Sequence, residues 1–277
     1  MKKICTLLGL LLCAQLLSAR ENPEWMRYPA ISPDGKTIVF TYQGSLYKVP
    51  SKGGEAKPLV KNQWYNFKAV WSSDGKYIAF ASNQFGNFDI FIIPATGGEA
   101  KRLTWHSTDE YPYDFSENNQ RVIFGAAKLD AASNRQFPSE SLLELYKVPV
   151  AGGRVRQVLT TPAEDAKVSA DGRYIIYHDR KGRENPWRKH QVSSIARDIW
   201  LYDIQKETHK KLSSFVGEDR SPVFASNNKG IYYLSEKSGD FNIYEMSLSD
   251  TSSHQVTFFK ESPVRFLSVA SDNTLCF

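Results

Sequence analysis

Sulfur is scarce in this 277-residue chain, which carries three cysteines and three methionines. Cys5 and Cys13 fall within the first 19 residues, so removal of that leader leaves Cys276 alone and excludes an internal disulfide. Stability must then come from packing. A strong excess of one charge is also missing: 35 basic residues face 30 acidic ones, and loss of Lys2 and Lys3 leaves 33 against 30. That balance gives no general case for nucleic-acid binding, where a concentrated basic face is expected. The catalytic motifs are missing as well. There is no Gly-x-Ser-x-Gly elbow and no Ser-x-x-Lys with its supporting motifs. No two of His106, His178, His190, His209 and His254 have the spacing of a helical zinc pair, and no calcium loop with ligands at alternating positions follows the Asp-Gly pairs. No catalytic residue, metal or cofactor is assigned to this chain.

What is present begins with a leader. Lys2 and Lys3 precede an apolar run from Leu7 to Leu17, and Leu17-Ser18-Ala19 offers a small-residue cleavage site before Arg20. The run is short for a membrane span and Gln15 interrupts it. Residues 1–19 are therefore expected to be a signal peptide, 20–277 the mature domain, and the product exported to the periplasm with no membrane attachment after cleavage. In the rest of the chain 14 Tyr and 16 Phe weight the composition toward strands.

The strongest signal is internal repetition. Ser32-Pro33-Asp34-Gly35-Lys36 leads into Thr37-Ile38-Val39-Phe40, and 40 residues later Ser72-Ser73-Asp74-Gly75-Lys76 leads into Tyr77-Ile78-Ala79-Phe80. The pattern returns at Ser116-Glu117-Asn118-Asn119, at Ser169-Ala170-Asp171-Gly172, at Ala225-Ser226-Asn227-Asn228, and again at Ser271-Asp272-Asn273. Each Asp-Gly or Asn-Asn pair suits positive φ angles, so a two-residue hairpin is expected there. A third strand follows in each copy, as in Asp89-Ile90-Phe91-Ile92-Ile93-Pro94 and Asn242-Ile243-Tyr244-Glu245-Met246. Gly53-Gly54, Gly97-Gly98 and Gly152-Gly153 then turn the chain into a short fourth strand such as Lys101-Arg102-Leu103-Thr104. Four strands per period of 40 to 57 residues defines an all-β propeller, six-bladed when whole, with five complete blades and the start of a sixth.

These elements resemble the blade consensus of the tricorn-protease and TolB class: Ser-Pro-Asp-Gly-Lys, apolar strand, Asp-Ile-Tyr, Gly-Gly, Leu-Thr. The resemblance runs over residues 25–277. TolB-like proteins place an α/β domain before the propeller, whereas Pro29-Ala30-Ile31-Ser32 opens the first blade ten residues after the cleavage site. The opening Glu21 to Pro29, Trp187-Arg188-Lys189-His190 and Pro263 to Leu267 resemble exported bacterial tricorn protease homologues. That resemblance implies a non-catalytic propeller that filters or guides peptides or unfolded protein in a serine peptidase, with PDZ-like and peptidase domains downstream and a homo-oligomer as a further possible partner. The alternatives are the propeller of a prolyl-oligopeptidase-type hydrolase and a free-standing interaction module of the envelope.

Two blades carry insertions between second and third strands, Gly125 to Leu143 and His178 to Arg197. Insertions in a repeat array gather on loops, where binding is usually carried. The second holds Arg180, Lys181, Arg183, Arg188, Lys189 and Arg197 against Asp179 and Glu184. The residues expected to bind a peptide carboxylate or an acidic neighbour are Arg135, Arg183, Trp187, Arg188, Lys189, His190 and Arg197. Trp64, Trp71, Trp105 and Trp200 are expected in core or inter-blade packing. The sixth copy offers a first strand from Val264 to Val269 and part of a second, Leu275-Cys276-Phe277. Two strands are absent, so an open ring is expected, with blade one lacking a neighbour.

Overall fold

The computed structural model describes residues 25–128, 142–182, 190 and 192–277. The described residues form five four-stranded antiparallel blades and a two-stranded start of a sixth, ordered radially in a ring. Blade one contains β1 (Arg27–Ile31), β2 (Thr37–Tyr42), β3 (Ser45–Pro50) and β4 (Lys57–Val60). Blade two contains β5 (Asn66–Trp71), β6 (Tyr77–Ser82), β7 (Asp89–Pro94) and β8 (Lys101–Arg102). In blade three these places are taken by β9 (Glu110–Ser116), β10 (Arg121–Ala126), β11 (Glu144–Pro149) and β12 (Arg156–Leu159). Blade four has β13 (Ala163–Val168), β14 (Tyr174–Asp179), β15 (Ile199–Asp203) and β16 (Thr208–Lys211), and blade five has β17 (Asp219–Phe224), β18 (Gly230–Ser235), β19 (Asn242–Ser247) and β20 (Ser253–Gln255). The pair β21 (Ser268–Val269) and β22 (Leu275–Cys276) begins the sixth.

The repeated residues each do one local job. In blade one the Ser32 hydroxyl donates to Asp34 at 2.6 Å and accepts the Thr37 amide, while Asp34 also accepts the Lys36 amide. Ser72–Asp74 and Ser169–Asp171 repeat this arrangement. The expected two-residue hairpin is thereby corrected: the Ser32 amide bonds Thr37 O, so the loop spans the four residues between them. Only Gly35 needs a positive φ (71°), and Asp34 serves as an acceptor. At the other end of blades two, four and five a Ser or Thr hydroxyl accepts the amide following the Asp or Asn that opens the third strand: Thr104 from Ile90, Ser213 from Ile199, Thr257 from Ile243. This latch is the physical content of the Asp-Ile and Leu-Thr elements.

Between blades the faces are apolar. Val39, Leu46, Ile78, Phe80 and Ile93 fill the gap between blades one and two, and Ile176, Ile199, Ile231, Tyr233 and Met246 that between four and five. The ring does not leave blade one without a neighbour. The Ile31 amide donates to Ser268 Oγ at 3.1 Å, Ser271 N to Pro33 O at 2.9 Å, and the Tyr28 and Phe266 rings meet at 4.6 Å. The first strand of a blade is the one that faces its neighbours near the axis, so the start of the sixth already supplies that contact. The regular pairing at β21 is shorter than expected, Ser268–Val269 rather than Val264 to Val269. Trp71 packs between blades, donating to Ala30 O at 2.9 Å, whereas Trp105 is corrected to a surface position, 63% exposed.

Candidate channel mouth

The first strands, β1, β5, β9, β13, β17 and β21, surround a central cavity of about 910 Å³. Each begins at the end where second strands finish and third strands start, so the described ends of both insertions leave and rejoin the blades at that mouth. Just inside it the first strands are bulged. Between Arg27 and Ala30, Phe67 and Val70, Glu164 and Lys167, and Arg220 and Val223, two residues oppose one on the partner strand. Tyr28, Lys68, Asp165 and Ser221 there have φ of 53°, 52°, 47° and 51°. Left-handed backbone costs a non-glycine residue about 1 kcal/mol, and it concentrates where function constrains the chain. Blade three has Pro112 at this place, whose ring forbids a positive φ.

The bulged residues converge on a charge network. Lys68 Nζ lies 3.8 Å from Asp165 Oδ1, reaching from blade two to blade four. On the way it passes 5.1 and 5.5 Å from the ring centres of Tyr111 and Tyr113 of blade three. Ser221 Oγ donates to Asp165 Oδ2 at 2.8 Å, while the Ser221 amide donates to His178 Nδ1 at 3.2 Å. An Nδ1 that accepts leaves the proton on Nε2, which faces Glu164 Oε2 at 3.4 Å. Arg180 donates to the other Glu164 oxygen at 2.6 Å. Burial works against ionisation of Glu164, but His178 and Arg180 outweigh it and hold the carboxyl well below its usual range. Asp165 is likewise held low, burial being overcome chiefly by Lys68, with the Ser221 hydrogen bond adding. With its hydroxyl donated to a carboxylate and its amide, not its Oγ, on the imidazole, Ser221 is not set up as a nucleophile.

Beside this network Arg197 and Arg220 share the buried carboxylate Glu218, at 2.6 and 3.4 Å. Arg265 of the sixth blade lines the same cavity. Burial pulls the Arg220 guanidinium down to about 10, Glu218 opposing and the neighbouring Arg197 and Arg265 adding to the shift. Its plane covers the Phe241 ring at 4.1 Å.

The sequence-derived candidates separate here. Arg135, Arg183, Trp187, Arg188 and Lys189 lie outside the described residues. His190 is exposed, and its amide donates to Glu236 of blade five at 2.6 Å. Arg197 is not a surface loop cation: it is 4% exposed and pins the end of the insertion to Glu218. Arg180 and Lys181 pin its start, the latter through Asp198 and Ala196 O, both at 2.6 Å. Lys68, Glu164, Asp165, Ser221, Glu218, Arg220 and Arg265 went unnoticed in the sequence. Alignment of the copies backward from the turn serine would have found three of them. Tyr28, Lys68, Pro112, Asp165, Ser221 and Phe266 each stand four residues before that position, and charge in such a strand is conspicuous.

Comparison with known proteins defines the class. The family model described as the tricorn protease N-terminal β-propeller domain matches residues 23–277, and the chain belongs to this family. Tricorn protease homolog 1 of Streptomyces coelicolor is 25% identical over 83% of this chain and 20% of its own length. Dipeptidyl-peptidase 5 of Porphyromonas gingivalis is 24% identical over 74% of this chain and 36% of its own length. The chain thus spans between a fifth and about a third of the length of these two relatives. Among solved structures, the tricorn protease superposes with a TM-score of 0.71 at 22% identity, covering 89% of this chain and 24% of that one. A putative TolB from Agrobacterium tumefaciens gives 0.68 at 16% identity, covering 84% and 81%. At these identities the structural likeness concerns the fold. Among the described residues no helix is long and apolar enough to cross a membrane.

Proposed function

We propose that this propeller is the non-catalytic peptide-guiding module of an exported tricorn-like serine peptidase, receiving peptides or unfolded segments at the mouth and docking the PDZ-like and peptidase domains of the longer protein. The observation that carries this reading is the mouth itself, where Arg197 and Arg220 meet the carboxylate of Glu218 and Arg265 lines the same cavity of about 910 Å³. Guanidinium groups lining a cavity favour acidic peptides through charge-assisted hydrogen bonds. Arg188 and Lys189 of the blade-four insertion add to that attraction. Fluorescence anisotropy with a labelled acidic peptide tests it. Binding should be saturable, weaken with salt, and fall several-fold in Arg188→Ala/Lys189→Ala at unchanged Tm. Salt-independent binding, or none, contradicts the reading. The purified domain should hydrolyse no peptide.

The match to dipeptidyl-peptidase 5 favours one second reading, the propeller of a prolyl-oligopeptidase-type hydrolase. A Gly-x-Ser-x-Gly elbow in the longer coding sequence would select it, and a PDZ-like module would select the first.

A further inference from the structure

The Lys68 side chain shows what its surroundings accept. Its ammonium rests beside the Asp165 carboxylate at 3.8 Å and against the faces of Tyr111 and Tyr113 at 5.1 and 5.5 Å. Such a combination of one fixed carboxylate and two aromatic faces selects a compact cation. Asp165 does not depend on Lys68 for its place, because Ser221 Oγ binds the other oxygen at 2.8 Å. Lys68 is also the leading cause that holds Asp165 ionised against burial, a role that an incoming ammonium would take over. Lys68 reaches the site through more rotatable bonds than Asp165. It arrives from blade two, across blade three, on a long side chain that is 27% exposed, against 35% for Asp165. Neither end is sealed from a competitor in the cavity that both line.

We infer that Asp165, Ser221, Tyr111 and Tyr113 form a binding site for a primary ammonium group, in which Lys68 is a tethered stand-in that an incoming peptide displaces. This deepens the peptide reading above by adding a cation subsite beside the arginines. The site takes a peptide amino terminus or a lysine side chain, and Lys68 sets a threshold that weak cations do not pass.

Excision and replacement of the side chain tests the site without any peptide. Lys68→Gly empties the cage and suits the positive φ of 52°. n-Butylammonium, the excised group, should then bind saturably and raise the Tm of the variant, n-butanol should not, and adding Asp165→Asn should remove the response. Equal effects of the amine and the alcohol, or no saturable response, overturn the inference. If the glycine variant does not fold, Lys68→Met replaces it, read with one hexapeptide carrying a free or an acetylated amino terminus. A preference of about tenfold for the free form, as one charge-assisted hydrogen bond supplies, supports the site, and its absence in both this pair and an acetylated lysine-containing peptide overturns it. Failure of the peptide reading alone appears differently, as no peptide binding with butylammonium rescue intact.

Discussion

A charge left alone in a protein interior costs more than the pair it belonged to ever contributed. The Arg197 and Glu218 side chains are 5% and 3% exposed, so Arg197→Ala leaves this buried carboxylate with the longer 3.4 Å contact to Arg220 and should destabilise by about 3 kcal/mol. Denaturant unfolding measures this, and Arg197→Met/Glu218→Leu should recover much of the loss. A second residue-scale expectation concerns pH. Burial raises Asp219 to about 7, with Ser235 and Lys237 opposing and Asp198 and Glu236 adding. Between pH 4 and 7 the unfolded chain releases this proton while the folded chain keeps it, so stability falls as pH rises through that window. Glu164 has the opposite sign: its contribution is present above its unfolded value and is lost as pH falls toward its depressed folded value. Asp219→Asn should flatten the stability profile between pH 4 and 7, by at most about 1.4 kcal/mol per pH unit, and leave the acid limb governed by Glu164 intact. Melting series across pH 3 to 8 would show both limbs.

At the scale of strands and turns, the αL position of the hairpin separates two kinds of blade. Where it is Gly35, Gly75 or Gly172 it bears no side chain; where it is Asn119, Asn228 or Asn273 the amide oxygen reaches back to the preceding blade, accepting from Ser73 N, Ala170 N and Ser226 N. Asn119→Gly therefore relieves backbone strain and still should destabilise, by about 1 kcal/mol, because it removes a tie between blades two and three. Gly125 is a different case. A Cβ there would meet Tyr113 Cε2 and Cζ at 2.6 and 2.7 Å, inside a fully packed blade, so Gly125→Ala should cost about 1–3 kcal/mol by chemical denaturation. The turns, the latches and the blade order were legible because each rests on local chemistry repeated at a fixed offset. The mouth was not. Lys68 and Asp165 are 97 residues apart in sequence, and only the bulges that rotate them inward make them neighbours. Arg180, Lys181 and Arg197 of the basic insertion escaped for a related reason: they read as surface cations until Glu164, Asp198 and Glu218 are known to pair with them.

For the whole molecule, stability is set by neighbour contacts around the ring. The seam between the sixth blade and blade one rests on Tyr28 against Phe266, on Ser268 and on the Pro33–Ser271 bond. Phe266→Ala should accelerate hydrogen exchange of the β1 amides far more than those of β9, which lies on the other side of the ring. Uniform acceleration would mean that the ring unfolds as one unit. What the ring does for the longer protein turns on where a peptide sits. A benzophenone-bearing acidic peptide, irradiated in complex with the protein and mapped by mass spectrometry, answers this directly. Cross-links should fall on the mouth ends of the first strands, at Tyr28, Lys68, Tyr111, Asp165, Ser221 and Phe266, and be lost when unlabelled peptide competes. Cross-links confined to the outer strands β4, β8, β12, β16 and β20, or to the Ser-x-Asp-Gly turns at the opposite end, would contradict a peptide-guiding channel.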